Sequence, residues 1–236
     1  MSYDNLKVSE KDDLVSLLKG SAGIVPFAGG LLAEVISSVI PNQRIDRIAD
    51  YLEELSKRLI EFEYQQIKEN KLYRDLFEDT IIQASRSLSS ERNQYLAQFV
   101  KNTLDLSQDH YAVQKKLLFI LQELTDSDIQ FLTEVRNHGF NKAAEPFTPK
   151  LLSHSELNSN PSRDFETVSL GMHILTLERL DLVKVKRAVE DEEYPDSNVD
   201  SYTGLVEITE CETSKIGELL LNSIQTSEKD GTSKPF

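Results

Sequence analysis

The chain has 236 residues, of which 39% are hydrophobic and 28% are charged, and its formal net charge is -14. This length allows one large or two small domains with a real core. The negative charge argues against nucleic acid and anionic membranes as partners, because phosphates repel a chain whose Lys and Arg are not concentrated locally. With a single cysteine, Cys211, and no secretory signal at the N-terminus, we expect a cytoplasmic protein.

The first strongly apolar part of the chain is residues 20–41, whose length approaches the roughly 20 residues that cross a bilayer. A proline, paired glycines and Glu34 interrupt it, so it is a poor permanent span. We expect a buried hairpin or helix, and the alternative is insertion into a membrane after a trigger. The residues that either state would use are Ile24, Pro26, Phe27, Gly29, Gly30, Leu31 and Leu32.

A long helix is predicted over residues 42–70, because apolar residues recur there at alternating steps of three and four. This spacing is typical of a helix that packs along one partner face. Packing inside a helical bundle is favoured, and a homodimer seam is the alternative. The residues of this candidate interface are Ile45, Ile48, Leu52, Leu55, Leu59 and Phe62.

Two further helices are predicted over residues 71–88 and 89–107, with Ser89 or Ser90 as the N-cap of the second. Both carry apolar stripes, and their short connection predicts an antiparallel pair. The sequence therefore predicts a helical N-terminal domain over residues 1–112.

The next part of the chain, residues 113–225, is predicted to form a winged-helix-like α+β domain. Its opening helices meet at Thr125, which is expected to cap the second of them. A polar loop is predicted over residues 137–164 and an acidic wing over residues 190–203. Residues 226–236 read as a flexible tail. The fold class is thus mainly α with a small β component.

Between the loop and the wing, a helix is predicted from Phe165 to Leu180, with Val168, Met172, Leu175 and Leu180 at the spacing of one helix face. A strand follows from Leu182, and its partner strand is expected to begin after residue 204. A last helix carries Ile216, Leu219, Leu220 and Ile224.

Catalytic and cofactor signatures are missing from the sequence. It contains no phosphate-binding glycine loop, no pair of histidines four residues apart and no CxxC motif. His173 is expected on a helix surface rather than in a catalytic role. We therefore predict a non-enzymatic protein with no cofactor, no metal and no identifiable small-molecule substrate.

A winged helix raises the question of DNA binding. The helix from Phe165 to Leu180 has few basic side chains that could contact DNA. Only Lys184, Lys186 and Arg187 on the following strand could contact phosphates weakly. These are too few for an acidic domain, so duplex DNA is not the expected partner. A protein partner is favoured.

Four segments carry a resemblance to a known family. They are PFAGGLLAEVISSVIPNQRIDRI, LFEDTIIQASRSLSSERNQYLAQFV, LERLDLVKV and VEITECETSKIGELLL. Together they resemble the abortive-infection alpha-like (Abi-alpha) proteins of bacteria, with Asp181 at a position where glycine is usual. The resemblance implies a bacterial protein linked to phage defence or an uncharacterised accessory role, and it implies no catalytic residues.

These observations favour an interaction or adaptor protein. The alternatives are a membrane-acting effector that inserts residues 20–41 and a winged-helix transcriptional regulator.

Overall fold

A computed structural model describes residues 44–147, 161–188 and 208–226. In these ranges the chain is mainly helical, with nine α-helices and one two-stranded antiparallel sheet, which confirms the predicted class of a mainly α protein with a small β component. It divides into two compact units, Met1–Gln122 with Asn222–Phe236, and Glu123–Leu221. The sequence placed the boundary after residue 112, at the start rather than the end of a helix.

The first unit is built from helices. These are α1 (Ile45–Ser56), α2 (Glu61–Glu69), α3 (Lys71–Arg86), α4 (Ser90–Leu104), a 3-10 turn (Gln108–His110) and α5 (Tyr111–Glu123). Side chains at the N-caps fix where two of them begin. Asn70 accepts a hydrogen bond from the backbone N–H of Leu72, and Ser89, as predicted, accepts one from Arg92.

The single helix predicted over residues 42–70 is two helices. After α1 the backbone reaches Ile60, which is extended, with φ of -95° and ψ of 165°. Its N–H donates to the carboxylate of Glu63 at 2.8 Å, so a new helix N-terminus forms there. The α2 helix then buries Glu63, Tyr64 and Ile67. Phe62 therefore leaves the seam that was predicted for it and is 67% exposed.

The core of the first unit brings α1, α3, α4 and α5 together through fully buried side chains: Ile48, Tyr51, Leu55, Phe77, Ile81, Leu96, Phe99, Leu118 and Leu121. The phenol of Tyr51 shares a hydrogen bond of 2.7 Å with Thr80, and burial raises the pKa of Tyr51. The Gln83 amide donates to the carbonyl of Leu118 at 2.9 Å. The buried side chains of Tyr51, Thr80 and Gln83 are thus paired inside an apolar core.

The second unit contains α6 (Asp126–His138), the short α7 (Phe140–Ala144), a 3-10 turn (Glu145–Phe147), α8 (Pro161–Arg179), β1 (Val183–Arg187), β2 (Ile208–Thr213) and most of α9 (Lys215–Ile224). Thr125 caps α6 as predicted, in a reciprocal capping box with Asp128. The loop predicted over 137–164 is corrected in part, because Gly139, with φ of 81°, ends α6 and lets α7 begin at once. The predicted wing at 190–203 and the tail lie outside the described residues, apart from Thr226.

The two strands pair antiparallel from Val183 opposite Thr213 to Arg187 opposite Ile208. The entry to β1 and the start of α9 are joined by Ser214. Its hydroxyl donates to the carbonyl of Asp181 at 2.5 Å and accepts from the N–H groups of the first turn of α9. Asp181 itself has φ of 55°, the left-handed conformation that favours glycine.

Candidate functional site

A buried pair of polar side chains, Asp128 and His173, joins two helices of the second unit. Asp128 is on the first turn of α6, and His173 is in the middle of α8. The imidazole donates from Nδ1 to Oδ1 of the carboxylate at 2.7 Å, and the two residues are only 5% and 9% exposed. This bond fixes the face that α8 turns toward α6.

Two aromatic rings enclose the imidazole. Phe131 stacks on His173 with ring centroids 5.7 Å apart and an interplanar angle of 19°. Phe147, on the 3-10 turn, meets it edge to face at 5.5 Å and 66°. Stacked and edge-to-face contacts at these distances are favourable. The expectation of a helix-surface histidine is therefore wrong, and His173 is a packed core residue.

The carboxylate of Asp128 is held ionised by its surroundings. Burial acts to raise its pKa, but hydrogen bonds from His173 and from the hydroxyl and backbone N–H of Thr125 outweigh burial, and the pKa is lowered. Because an ionised carboxylate only accepts hydrogen bonds, Nδ1 of His173 carries the proton in this pair.

A serine completes the connectivity of a catalytic triad. Oγ of Ser169, four residues before His173 on α8, is 3.4 Å from Nε2. Acyl transfer also requires hydrogen-bond donors, commonly backbone N–H groups, that can stabilise an oxyanion beside the nucleophile. Ser169 lies inside a helix, where the N–H groups are used by helical hydrogen bonds. Ser169, His173 and Asp128 thus form a hydrogen-bond chain that links α8 to α6.

The described side chains of α8 show two apolar faces. The buried face consists of Leu170, His173, Ile174 and Leu177, all at most 9% exposed. The opposite face carries Val168, Met172 and Leu175, which are 49%, 64% and 46% exposed and are called the apolar stripe below. The sequence pattern grouped these residues on one face of the helix, and the structure places that face outward. Both sets have helical spacing, so periodicity alone could not choose between them.

The predicted phosphate-contacting residues lie on β1, and two of the three are paired with carboxylates. Arg187 binds Glu178 through two hydrogen bonds of 2.7 and 2.5 Å, which lower the pKa of that carboxyl. Lys186 forms an ion pair with Glu210 on the neighbouring strand. Lys184 is exposed. The basic cluster is thus largely neutralised within the second unit.

The candidate interface of the first unit is mostly inside its core. Ile48, Leu52, Leu55 and Leu59 are between 0% and 7% exposed, and α1 packs against α3 and α4. The side chain of Ile45 is outside the described part. Burial within one chain matches the bundle interpretation of this seam.

The apolar segment 20–41, with Ile24, Pro26, Phe27, Gly29, Gly30, Leu31 and Leu32, lies outside the described residues, and its predicted hairpin or insertion stays a prediction. Of the helices within 44–147, 161–188 and 208–226, none is both long and apolar enough to cross a bilayer. The same ranges contain no cluster of three His, Cys, Asp or Glu side chains that could hold a metal ion.

Comparison of this chain with family models, with curated proteins and with solved structures finds no match.

Proposed function

We propose that this chain is a non-enzymatic interaction protein whose second unit binds a protein partner through the apolar stripe of α8. The observation that carries the proposal is the exposure of Val168, Met172 and Leu175, three large apolar side chains at positions i, i+4 and i+7 of one helix. Single exposed apolar residues are ordinary, but a contiguous set on one face marks an interaction surface. Anchors at this spacing are those a helix presents to an apolar groove.

We further infer a winged-helix-like arrangement for the second unit. Support comes from the order of its elements, in which α6 and α8 precede the β1–β2 pair and α9 follows it. In this arrangement α8 takes the place of the helix that reads DNA in winged-helix regulators. Its outward face is apolar, and the nearby Lys186 and Arg187 are paired with carboxylates. Both features favour a protein over duplex DNA as the partner.

The experiment compares two charge-introducing variants of the tagged protein in its native cells. The test variant is Met172→Glu with Leu175→Glu, and the control is Val113→Glu, whose side chain is 45% exposed on α5 of the first unit. Proteins that co-purify are quantified by mass spectrometry. The proposal expects a defined set of partners to be lost from the test variant and kept by the control.

Circular dichroism establishes that both variants are folded, since surface substitutions of this kind change stability by about 0.5 kcal/mol or less. If folded test variant and control retain the same partners, or if nothing is enriched over the tag alone, the stripe is not a docking surface.

The biological setting remains a separate prediction. A role in phage defence rests on the resemblance to Abi-alpha proteins, and it predicts that deleting the gene changes survival of the culture after phage infection. The burial of Leu52 and Leu55 supports an intramolecular helical core rather than a homodimer through α1. Insertion of residues 20–41 into a membrane stays the alternative to the interaction function.

A further inference from the structure

The apolar stripe of α8 lies on a heptad repeat. Its last residue, Leu175, is followed four residues later by Arg179, whose side chain is 60% exposed. In the sequence, Phe165 precedes the first stripe residue, Val168, by three residues. Five positions from Phe165 to Arg179 therefore follow one another at steps of three, four, three and four. These are the steps between the a and d positions of a coiled coil, and they are typical of a helix that packs along another helix.

The core of the second unit uses the other positions of this repeat. The residues that α8 buries occupy positions b, c and f, which lie on the side of the helix away from a and d. They are Leu170, His173, Ile174 and Leu177. The unit thus covers the back of α8 and leaves the a and d positions outward. A partner helix would contact the stripe without displacing a core residue.

Short side chains flank the stripe. Ser169 and Thr176 lie on one side of it, at position e, and Gly171 lies on the other side, at position g. The next residue at position g, Glu178, is bound to Arg187. Short flanking side chains let a second helix approach closely. In coiled coils, charges at e and g select the partner. The described e and g residues of α8 carry no unpaired charge, so selection by charge depends on the second unit as a whole.

The second unit as a whole is strongly acidic. Residues 123–221 contain 20 Asp and Glu but only 9 Lys and Arg, which gives a formal net charge of -11. A field of this sign speeds the approach of a basic partner and slows that of an acidic one. It also opposes pairing of α8 with α8 of a second copy, because both units carry the same charge. In a parallel pair, the two Arg179 side chains would also meet at position a. Charge therefore favours a different, basic protein as the partner.

We infer, resting on the docking function proposed above, that the partner binds the apolar stripe with a basic amphipathic helix. The apolar residues of this helix repeat at heptad spacing, and its flanks are rich in Lys and Arg. Val168, Met172 and Leu175 enter the holes between its side chains. The short flanks of α8 leave room for the longer basic side chains of the partner. Their aliphatic stems cover the edges of the stripe, while their charged ends stay in water beside the acidic unit.

Binding of synthetic peptides to the full chain is measured by fluorescence anisotropy. Each peptide has about 21 residues, three heptads with leucine at positions a and d. The first peptide has lysine at e and g, the second has glutamate there, and the third is a scrambled form of the first. Like charges at e and g oppose self-association of the first two. The lysine peptide should bind at least about tenfold more tightly than either of the others. Its affinity should fall as added salt screens the charges.

Variants locate the binding site. Met172→Ser with Leu175→Ser removes two side chains of the stripe and should weaken binding of the lysine peptide at least about tenfold. The matched control is Val113→Ser with Phe119→Ser, which removes two apolar side chains that are 45% and 50% exposed on α5 of the first unit. It should leave the affinity within about twofold. Neither double variant changes the net charge, so a difference between them comes from the apolar contacts. Circular dichroism establishes that both are folded.

Three results would overturn the inference. Equal binding of the lysine and glutamate peptides, lost in the stripe variant, would show a helix-binding stripe that does not select by charge. Equal binding of the scrambled peptide, or unchanged binding by the stripe variant, would show attraction to the acidic unit alone. No binding of any peptide would show that the stripe does not bind a helix. The docking function is tested separately by co-purification, which uses no peptide, so partners lost there would support docking even if the basic helix is wrong.

Discussion

Helices α1 and α8 both carry apolar side chains at helical spacing, yet the stripe on α1 is buried and the stripe on α8 is exposed. On α1 the residues that looked suited to an intermolecular seam, such as Leu52 and Leu55, are at most 4% exposed within their own unit. On α8 the apolar stripe of Val168, Met172 and Leu175 is between 46% and 64% exposed. The spacing identifies an apolar face, but only the neighbouring elements decide whether that face is covered.

The difference has a physical origin in the rest of each helix. The α1 helix is polar on its remaining sides, with Asp46, Asp50 and Glu53 exposed, so only one face can enter a core. The α8 helix is apolar on two faces, and the face that packs is the one that carries His173, whose bond to Asp128 orients the helix. A polar side chain thus selects which apolar face is buried.

The largest effect is expected from Leu55→Asp on α1. Leu55 is 0% exposed, and truncating such a leucine already costs about 2 to 5 kcal/mol, to which a buried charge is added. We expect the first unit to lose its helical circular dichroism at room temperature. Phe62→Asp, in the same predicted seam but 67% exposed, should change stability by about 0.5 kcal/mol or less. A similar loss of stability in both variants would contradict the burial of Leu55 and the exposure of Phe62.

The next effect is expected from Asp128→Ala, which leaves His173 buried without its acceptor and removes a helix cap. Breaking a buried pair of this kind costs about 3 kcal/mol, measured by urea denaturation of the second unit. The matched control is Glu134→Ala on the same helix. Glu134 also binds a histidine, His138 at 2.9 Å, but both side chains are more than half exposed, so screening limits its cost to about 1 kcal/mol or less. Equal costs would mean that the buried pair does not orient α8.

The same carboxylate predicts an acid-dependent stability. Because its pKa is lower in the folded state than the ordinary 3.8, the unfolded state binds more protons, and stability rises with pH across this window. The contribution of Asp128 is complete above about pH 5 and is lost as the pH falls through the folded pKa. In a plot of the urea midpoint against pH, Asp128→Asn should reduce the loss of stability at acid pH. Some loss should remain, because the pKa of Glu178 in the same unit is also lowered. A profile parallel to the wild type would contradict this.

A smaller loss of stability is expected from Gly217→Ala in α9. A Cβ there would lie 2.3 Å from the carbonyl oxygen of Leu182 and 2.8 Å from Cγ2 of Thr213. Overpacking against backbone costs about 1 to 3 kcal/mol, measured as a shift in the urea midpoint. The control, Gly139→Ala, meets no atom within 4 Å and has only the strain of its positive φ, about 1 kcal/mol. A larger loss at Gly217 would show that the second unit is closely packed and that the exposed stripe is not a sign of general looseness.

The smallest effect is expected from Met172→Ala in the apolar stripe. Its side chain is 64% exposed, so the free energy of unfolding should change by about 0.5 kcal/mol or less. Leu177→Ala, on the opposite face at 0% exposure, should cost about 2 to 5 kcal/mol. If Met172→Ala is destabilising by more than about 1 kcal/mol, part of the chain covers the stripe.

Much of the local structure could be predicted because its causes are local. Ser89 and Thr125 cap their helices through hydroxyls that reach N–H groups three residues ahead. The break at Ile60 escaped prediction because the apolar spacing continues across it to Phe62. The Asp128–His173 pair escaped because its members are 45 residues apart, and no local pattern links them. A histidine in phase with Leu170, Ile174 and Leu177 was the available signal for its burial.

The thiol of Cys211 is a chemical probe for opening of the second unit. It is the chain's single cysteine, lies on β2 at 4% exposure, and has a pKa raised to about 11, mainly by burial. Because the thiolate is the reactive form, alkylation at neutral pH must wait until the strand pair opens. The rate of alkylation therefore measures the opening of the second unit alone, because the first unit has no cysteine. A substitution that increases this rate destabilises the second unit, so the effects of substitutions on α1 and α8 can be assigned to one unit or the other.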